Sequence, residues 1–231
     1  MLEFGEFLPD QAAYSNPGST EAKNCLPLTN QSYGPLPSLS TVVDAQPTRP
    51  QGAASLQETD GTQFTFCGDV NNLYVLTATV FDEISKSTGA YTTAVTDQWD
   101  IIQYGNRVVA VNGQTDAPQT YVMGTSTTFA DLGGSPPKAS HAAVIGNFVM
   151  LGNIKQGSDV VPNRVHWSGI DNPTYWPTIG SADAAANQSD RQDLPTGLSV
   201  EAITGAVGGA DGAVFMRESI YRVNYEGAPF V

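Results

Sequence analysis

Few side chains in this sequence have the types and spacing that metal or redox chemistry requires. His141 and His166 are the only histidines, and neither stands near Cys, Asp or Glu at the spacing of a metal site. Cys25 and Cys67 are far apart and form no paired motif, so we expect two free thiols. The sequence therefore predicts no metal, no cofactor, and structural or surface roles for both histidines.

The motifs of common enzyme classes are also missing from the sequence. It contains no Gly-x-Ser-x-Gly nucleophile motif, no Gly-x-x-x-x-Gly-Lys phosphate loop, and no Gly-x-Gly-x-x-Gly dinucleotide motif ahead of a helix. Carboxylates such as Asp82, Glu83, Asp131, Asp183 and Asp190 are scattered, without a recognisable pair of the kind a glycosidase uses. We therefore expect a protein that is not an enzyme.

The sharpest enzymatic alternative lies in residues 168–176. Ser168, Asp171 and Trp176 are similar to the Asp-box of sialidase propellers, Ser-x-Asp-x-Gly-x-x-Trp, but an extra residue precedes Asp171 and Pro173 replaces the glycine. Acidic sugars would need cations, and the candidates are Arg107, Arg164, Arg191, Arg217 and Arg222, which show no fixed relation along the sequence. Carbohydrate binding or polysaccharide cleavage stays open as an alternative.

Composition favours a mostly β protein with a surface that does not hold nucleic acid. The chain has 23 Gly, 15 Pro and only 14% charged residues, which is typical of many short strands and turns. A net charge of -13 opposes phosphate binding, although an acidic surface could line a passage for DNA without gripping it.

The N-terminus is acidic and lacks a long apolar core, which predicts no secretory signal, no membrane segment and synthesis in a cytoplasm.

Residues 1–60 have the pattern of an extended arm. Seven prolines interrupt any helical or strand periodicity of the apolar residues, yet these residues recur too often for a solvated linker. Such an arm is expected to lie on its own domain or on another subunit, and the sequence leaves both possibilities open. The residues that we expect to make these assembly contacts are Phe7, Tyr14, Leu26, Tyr33 and Leu36.

Residues 61–231 read as a succession of short apolar strands separated by turns. The predicted strands are 63–67, 72–81, 99–104, 107–112, 120–124, 141–145, 148–153, 164–168, 202–207, 213–217 and 220–225. Residues 181–188 could form one or two helical turns at most. A polar insertion is predicted near 180–198.

Three segments in this region repeat one pattern, an apolar strand, a tight turn and a second apolar strand. They are 99–112, 140–153 and 201–217, with a weaker copy at 64–75, and third strands follow at 119–123, 163–168 and 219–225. The turn residues Asn106 and Asn147 are 41 positions apart, close to the roughly 40 to 45 residues of a four-stranded propeller blade. We therefore predict an all-β fold of about three to four partial β-propeller-like blades of antiparallel strands, preceded by the arm. The expected packing anchors are Trp99, Trp167, Trp176 and Tyr221.

Three passages of the sequence resemble those of a known protein family. They are the arm motifs at 7–10, 16–18, 22–27 and 32–39, the segment 164–168 with Asp171 and Trp176, and the stretch 214–230. In these passages the chain resembles the β-propeller hub or nozzle proteins at the distal tail end of short-tailed bacteriophages.

The resemblance implies a structural virion protein, made in the cytoplasm of a bacterial host and located in the tail. Copies would form a homo-oligomeric ring below the portal and adaptor proteins, prolong the channel through which DNA passes without specific binding, and carry tail fibres. No catalytic residues come with it. Because the family's chains look longer, we expect either a fragment or a ring that other chains complete. The alternatives are a sugar-binding or sugar-cleaving tail protein with a sialidase-like propeller and a non-viral, protein-binding propeller.

Overall fold

The computed structural model describes residues 5–29, 32–38, 40–87, 91–196, 198–207 and 211–227. Contacts within the chain divide it into two compact units, Met1–Val42 and Val43–Val231. Strands account for 44% of the structure and helices for 3%, which confirms the predicted all-β class.

The first unit contains a β-hairpin that the sequence did not predict. Strand β1 (Cys25–Thr29) pairs antiparallel with β2 (Ser32–Pro35), and a single 3-10 turn covers Ala13–Ser15. Both strands of a two-stranded hairpin are edge strands, where a proline without an N–H group is tolerated. The prolines of this unit are therefore compatible with short strands as well as with an extended arm.

The second unit is built from four antiparallel sheets that follow one another along the chain. Sheet 1 comprises β3 (Gly52–Gln57), β4 (Gln63–Gly68), β5 (Leu73–Thr77) and β6 (Val80–Glu83). Sheet 2 comprises β7 (Asp100–Tyr104), β8 (Arg107–Val111), β9 (Gln119–Val122) and β10 (Ala130–Asp131). Sheet 3 comprises β11 (Lys138–Ile145), β12 (Phe148–Gln156), β13 (Asp159–Trp167) and β14 (Arg191–Asp193). Sheet 4 comprises β15 (Val200–Thr204), β16 (Gly212–Met216) and β17 (Ile220–Val223), and in every sheet consecutive strands are neighbours.

Strand β3 shows that the arm was predicted too long. It lies within the predicted arm 1–60, yet its six residues pair with β4 from Gly52↔Gly68 to Gln57↔Gln63. Its sequence, Gly-Ala-Ala-Ser-Leu-Gln, is weakly apolar and follows Pro50. Neither an alternation of apolar and polar residues nor the β-propensity of these residues therefore predicts a strand. The weaker repeat at 64–75 consequently matched the second and third strands of sheet 1, not the first and second.

The remaining differences concern strand ends, turns and two short strands. Ala78 has a positive φ of 56° and divides the predicted strand 72–81 into β5 and β6. The short strands β10 and β14 were not predicted, and β14 lies inside the predicted insertion 180–198 because Arg191 to Asp193 pair with β13. That insertion also holds the one short α-helix of the described residues, α1 (Ala182–Ala186), in agreement with the predicted limit of one or two turns. The predicted turn at 209–212 lies partly outside the described residues.

The sheets pack face to face through three apolar clusters. On β8, Val108 and Ala110 join the cluster shared with sheet 1, whereas Val109 and Val111 join the cluster shared with sheet 3. Sheet 3 continues the pattern, since Leu151 of β12 faces sheet 2 and neighbouring Met150 belongs to the cluster with sheet 4. Side chains alternate along a strand, so sheets 2 and 3 are buried on both faces.

The first strands of the four sheets lie next to one another. Strand β7 contacts β3 on one side and β11 on the other, and β11 also contacts β15. Each sheet therefore meets the next along its first strand as well as through its face.

Each of the three tryptophans is buried in a different cluster. Trp99 lies between sheets 1 and 2, Trp176 between sheets 2 and 3, and Trp167 between sheets 3 and 4. Each indole N–H donates to a backbone carbonyl, of Asp69, Pro173 and Gln188 respectively, at 2.8, 3.0 and 2.8 Å. The ring of Tyr221 is half-buried against the last of these clusters.

Candidate functional site

A cleft of about 540 Å³ opens beside sheet 3 and is the most distinctive candidate site. Its walls come from the start of β11, the end of β12, the end of β13, the start of β14 and the loops 135–137 and 176–179. The side chains that give it chemical character are Lys138, Lys155, His166 and Arg191, with Trp176 beside them. The volume lies in the range of small-ligand sites.

The cleft is positively charged in a chain that is strongly acidic. Its lining includes three cationic residues and no Asp or Glu among the residues that the structure describes, although the whole chain has 23 acidic and 10 basic residues. We call this feature the cationic cleft.

Two of its cations are held opposite each other by the β11–β12 hairpin. Gly146 and Asn147 form a two-residue turn, with a positive φ at the glycine, and Ile145 pairs with Phe148 across it. Counting outward from that turn, Lys138 becomes the Cα partner of Lys155. Like charges directly opposite in an antiparallel pair destabilise it, so this pair is unfavourable unless an anion lies nearby.

The lysines make few contacts that could offset this repulsion. The Lys138 ammonium donates to the Thr115 carbonyl, and neither lysine belongs to an ion pair among the described residues. Lys155 also borders a neighbouring open cleft that contains Asp97, yet the two do not approach within salt-bridge distance in the described structure. Each ammonium therefore keeps donor hydrogens for a ligand.

His166 is a buried polar side chain without a partner. It is only 4% exposed, and both ring nitrogens lack a hydrogen bond in the structure. Its ring meets that of Trp176 edge to face, with centroids 5.3 Å apart. Burial, together with the charges of Arg191 and Arg164, lowers the pKa of His166 to about 4. The imidazole is therefore neutral at pH 7 and has one N–H group with no acceptor.

Of the five arginines singled out in the sequence, the structure brings one to the cleft. Arg191 lies opposite His166 in the β13–β14 pair, and its guanidinium donates to the Gln156 side chain at 2.9 Å. Arg164 points to Asp193 in a two-bond ion pair, and Arg222 pairs with Asp211 in sheet 4. The other two, Arg107 and Arg217, do not line it.

A second, acidic pocket of about 460 Å³ lies where the first strands of sheets 2, 3 and 4 come together. Asp100, His141 and Glu201 contribute from β7, β11 and β15, with Asp97 nearby. Burial raises the pKa of Asp100 and lowers that of His141. The described residues include no group of His, Cys, Asp and Glu able to hold a metal ion, so this pocket has no assigned ligand.

The segment similar to an Asp-box is a turn whose polar groups are used within the fold. Ser168 accepts from the Val149 N–H at 3.1 Å, and Asp171 exchanges hydrogen bonds with Asn147 in the β11–β12 turn. Trp176 is buried in the core. The segment thus fastens the end of β13 to the neighbouring hairpin.

The residues predicted for assembly lie in the first unit, and most of them are exposed. Tyr14 is 94% exposed, Leu36 56%, Phe7 44% and Leu26 43%. Tyr33 is half-buried, and its hydroxyl donates to the Gly5 carbonyl at 3.0 Å. Both cysteines are free thiols, as the sequence predicted.

Sequence reasoning missed Lys138 and Lys155. The predicted strands 141–145 and 148–153 do not reach Lys138 or Lys155, because β11 begins three residues earlier and β12 continues three residues further. The information was present, because Gly157–Ser158 is a second two-residue hairpin turn that requires β12 to extend to Gln156.

Comparisons of the chain with models of known protein families and with curated proteins find no match. In the part of the chain that the structure describes, no helix is long and apolar enough to cross a membrane.

Proposed function

We propose that this chain is a structural subunit of the tail of a short-tailed bacteriophage, related to the hub or nozzle proteins. Copies assemble into a ring that continues the DNA channel below the portal and adaptor proteins and that carries tail fibres. The sequence resemblance suggests this role, and the following features of the two units support it.

The second unit suits a partial β-propeller. Its four sheets follow one another, each strand pairs with its sequence neighbour, and the first strands lie side by side. Antiparallel sheets that succeed one another in this way are typical of propeller blades, which need neighbours on both faces. Rigid blades of this kind would form the wall of the ring.

The observation that carries the proposal is the exposed apolar surface of the first unit. Within 42 residues, Tyr14, Leu28 and Leu36 are 94%, 69% and 56% exposed. A contiguous patch of exposed apolar residues marks a surface that another protein covers, and we infer that these residues contribute to one. An N-terminal segment of this kind is suited to clasp a neighbouring subunit.

The charge of the chain suits a passage for DNA. A net charge of -13 repels phosphates and so disfavours binding of the DNA that moves through the ring. Binding would slow ejection, whereas repulsion keeps the channel clear.

The proposal is tested by the oligomeric state of the purified full chain. We expect rings by negative-stain electron microscopy and a matching mass by light scattering. Replacing Tyr14, Leu28 and Leu36 together by Ser should abolish the rings and preserve the β-type circular dichroism spectrum. The control is Val95→Ser, which removes a 72% exposed apolar residue of the second unit and should leave the rings intact.

Two results would contradict the proposal. A chain that stays monomeric at high concentration is not a ring subunit, and rings that survive the triple substitution do not depend on the first unit. A monomer that degrades host polysaccharide would instead support the sugar-cleaving alternative.

A further inference from the structure

We propose that the cationic cleft binds an oxyanion, namely a phosphate, sulfate or carboxylate group carried by a small organic molecule. This inference depends on the charges and geometry of sheet 3 and is independent of the proposed role in tail assembly.

The first argument is the unfavourable pairing of Lys138 with Lys155. The hairpin register holds two like charges opposite each other, and no carboxylate of the described residues lines the cleft. Two acidic residues near Arg191 are already engaged, since Asp193 pairs with Arg164 and Asp190 accepts from the Arg191 backbone N–H. Asp97 shares a neighbouring open cleft with Lys155 and forms no salt bridge with it in the described structure. A bound oxyanion would accept hydrogen bonds from both ammonium groups and turn their repulsion into attraction.

The second argument is the missing partner of His166. A buried N–H group without an acceptor is destabilising, and such groups call for a specific explanation. His166 lines the cleft and lies opposite Arg191 in the sheet. A small movement of the ring toward an oxyanion between Arg191 and the lysines would give the imidazole N–H an acceptor.

The third argument concerns the rest of the ligand. The cleft holds about 540 Å³, which is more than a free phosphate or sulfate fills. Pro136, Pro177 and Ile179 also line the cleft and provide surface without charge. The shape therefore suits a small molecule with one anionic end and a less polar body, such as a sugar phosphate or a uronic acid.

The test is isothermal titration calorimetry of the full chain at low ionic strength with inorganic phosphate, sulfate, D-glucuronate and uncharged D-glucose. We expect binding of at least one of the three anions with a Kd in roughly the millimolar range, and no binding of glucose. Binding of phosphate or sulfate alone assigns a tetrahedral oxyanion, and binding of glucuronate alone assigns a carboxylate. Absence of binding for all three anions overturns the proposal.

Two double variants distinguish binding in the cationic cleft from a general attraction of anions to positive charge on the protein. The double substitution Lys155→Gln with Arg191→Gln should weaken binding about tenfold or more. The matched control, Lys23→Gln with Arg222→Gln, removes the same charge from surface ion pairs elsewhere and should leave the affinity unchanged. Equal affinity in both double variants overturns the proposal, and circular dichroism confirms that each is folded.

A nuclear magnetic resonance measurement reports on His166 directly. The ring resonances of His166 should shift on titration with the binding anion, and those of His141, in the separate acidic pocket, should not. Unchanged His166 resonances at saturation would place the anion elsewhere and overturn the proposal.

Discussion

The indole N–H of Trp99 donates to the backbone carbonyl of Asp69 at 2.8 Å, which ties the segment leading into sheet 2 to the turn that follows β4 of sheet 1. The Asp69 side chain organises the same turn, because its carboxylate accepts from the backbone N–H groups of Asn71 and Asn72 at 2.8 and 2.7 Å. Thr48 and Tyr74 donate to its second oxygen. The junction of the first two sheets thus depends on one buried carboxylate and one buried indole.

Replacing Asp69 by Asn should destabilise the protein by about 2 kcal/mol or more, because the amide nitrogen cannot accept the hydrogen bonds that the carboxylate accepts. Urea unfolding at pH 7 measures the loss. Asp60→Asn is the matched control, since Asp60 accepts from the Thr62 N–H in an exposed turn. An equal loss of stability in both variants would show that burial of the Asp69 hydrogen bonds adds nothing to the free energy of unfolding.

The same carboxylate predicts a dependence of stability on acid pH. Burial acts to raise the pKa of Asp69, but its hydrogen bonds outweigh burial and hold the pKa below its usual value. The unfolded chain therefore takes up the proton first, so the stabilisation is complete above the unfolded pKa of about 3.9 and is lost as the pH falls through the folded pKa. The Asp69→Asn variant should lose less stability than the wild type between pH 5 and pH 3 in urea titrations.

Gly68→Ala should destabilise the same junction. A Cβ atom at this position would lie 2.6 Å from Cγ of the Trp99 ring, so the indole or the strand would have to move. Overpacking of this kind costs about 1–3 kcal/mol. Gly133→Ala is the control, because its Cβ would meet nothing closer than 3.6 Å, and thermal unfolding should distinguish the two. Similar melting temperatures for both variants would show that the core around Trp99 accommodates an added methyl group with little loss of stability.

His166 should make stability depend on pH in a different window. Its folded pKa of about 4 lies below the usual histidine pKa of 6.5, so the unfolded chain binds the proton first and stability falls as the pH drops from about 6.5 toward 4. The difference between these pKa values corresponds to about 3 kcal/mol. His166→Phe should flatten the stability profile in this window. A proton resonance of His166 that titrates near pH 6.5 in the folded state would contradict this prediction.

Lys155→Gln should stabilise the chain in the absence of a ligand. The substitution removes the repulsion from Lys138, which is worth about 0.2–1 kcal/mol in an antiparallel pair. It also makes the net charge more negative, and that change by itself would destabilise an acidic chain. Lys23→Gln changes the net charge equally and should not stabilise. The gain in the free energy of unfolding should shrink at high salt, and a loss at every salt concentration would contradict the prediction.

The sequence was most informative where local rules apply. Alternating apolar residues and two-residue Gly turns located most strands of sheets 2, 3 and 4, because strand period and hairpin turns depend on a few adjacent residues. Strand β3 was missed since its small side chains become a strand only through pairing with β4. Strand β14 was missed for the same reason, as three polar residues have no periodicity and pair only because β13 presents a free edge.

The candidate site shows the same division between local and tertiary information. The types of Lys138, Lys155, His166 and Arg191 stand in the sequence, and the Gly146–Asn147 turn alone fixes the register of the two lysines. The approach of Arg191 to His166 was decided only by the tertiary structure, because the chain runs through 24 residues, a turn and α1 between them before it returns to the sheet.

Sequence by itself determined an acidic, all-β chain with repeated hairpins. Which faces were buried, and where positive charge collected, depended on packing between sheets, since burial and electrostatic fields are sums over residues that are distant in the sequence.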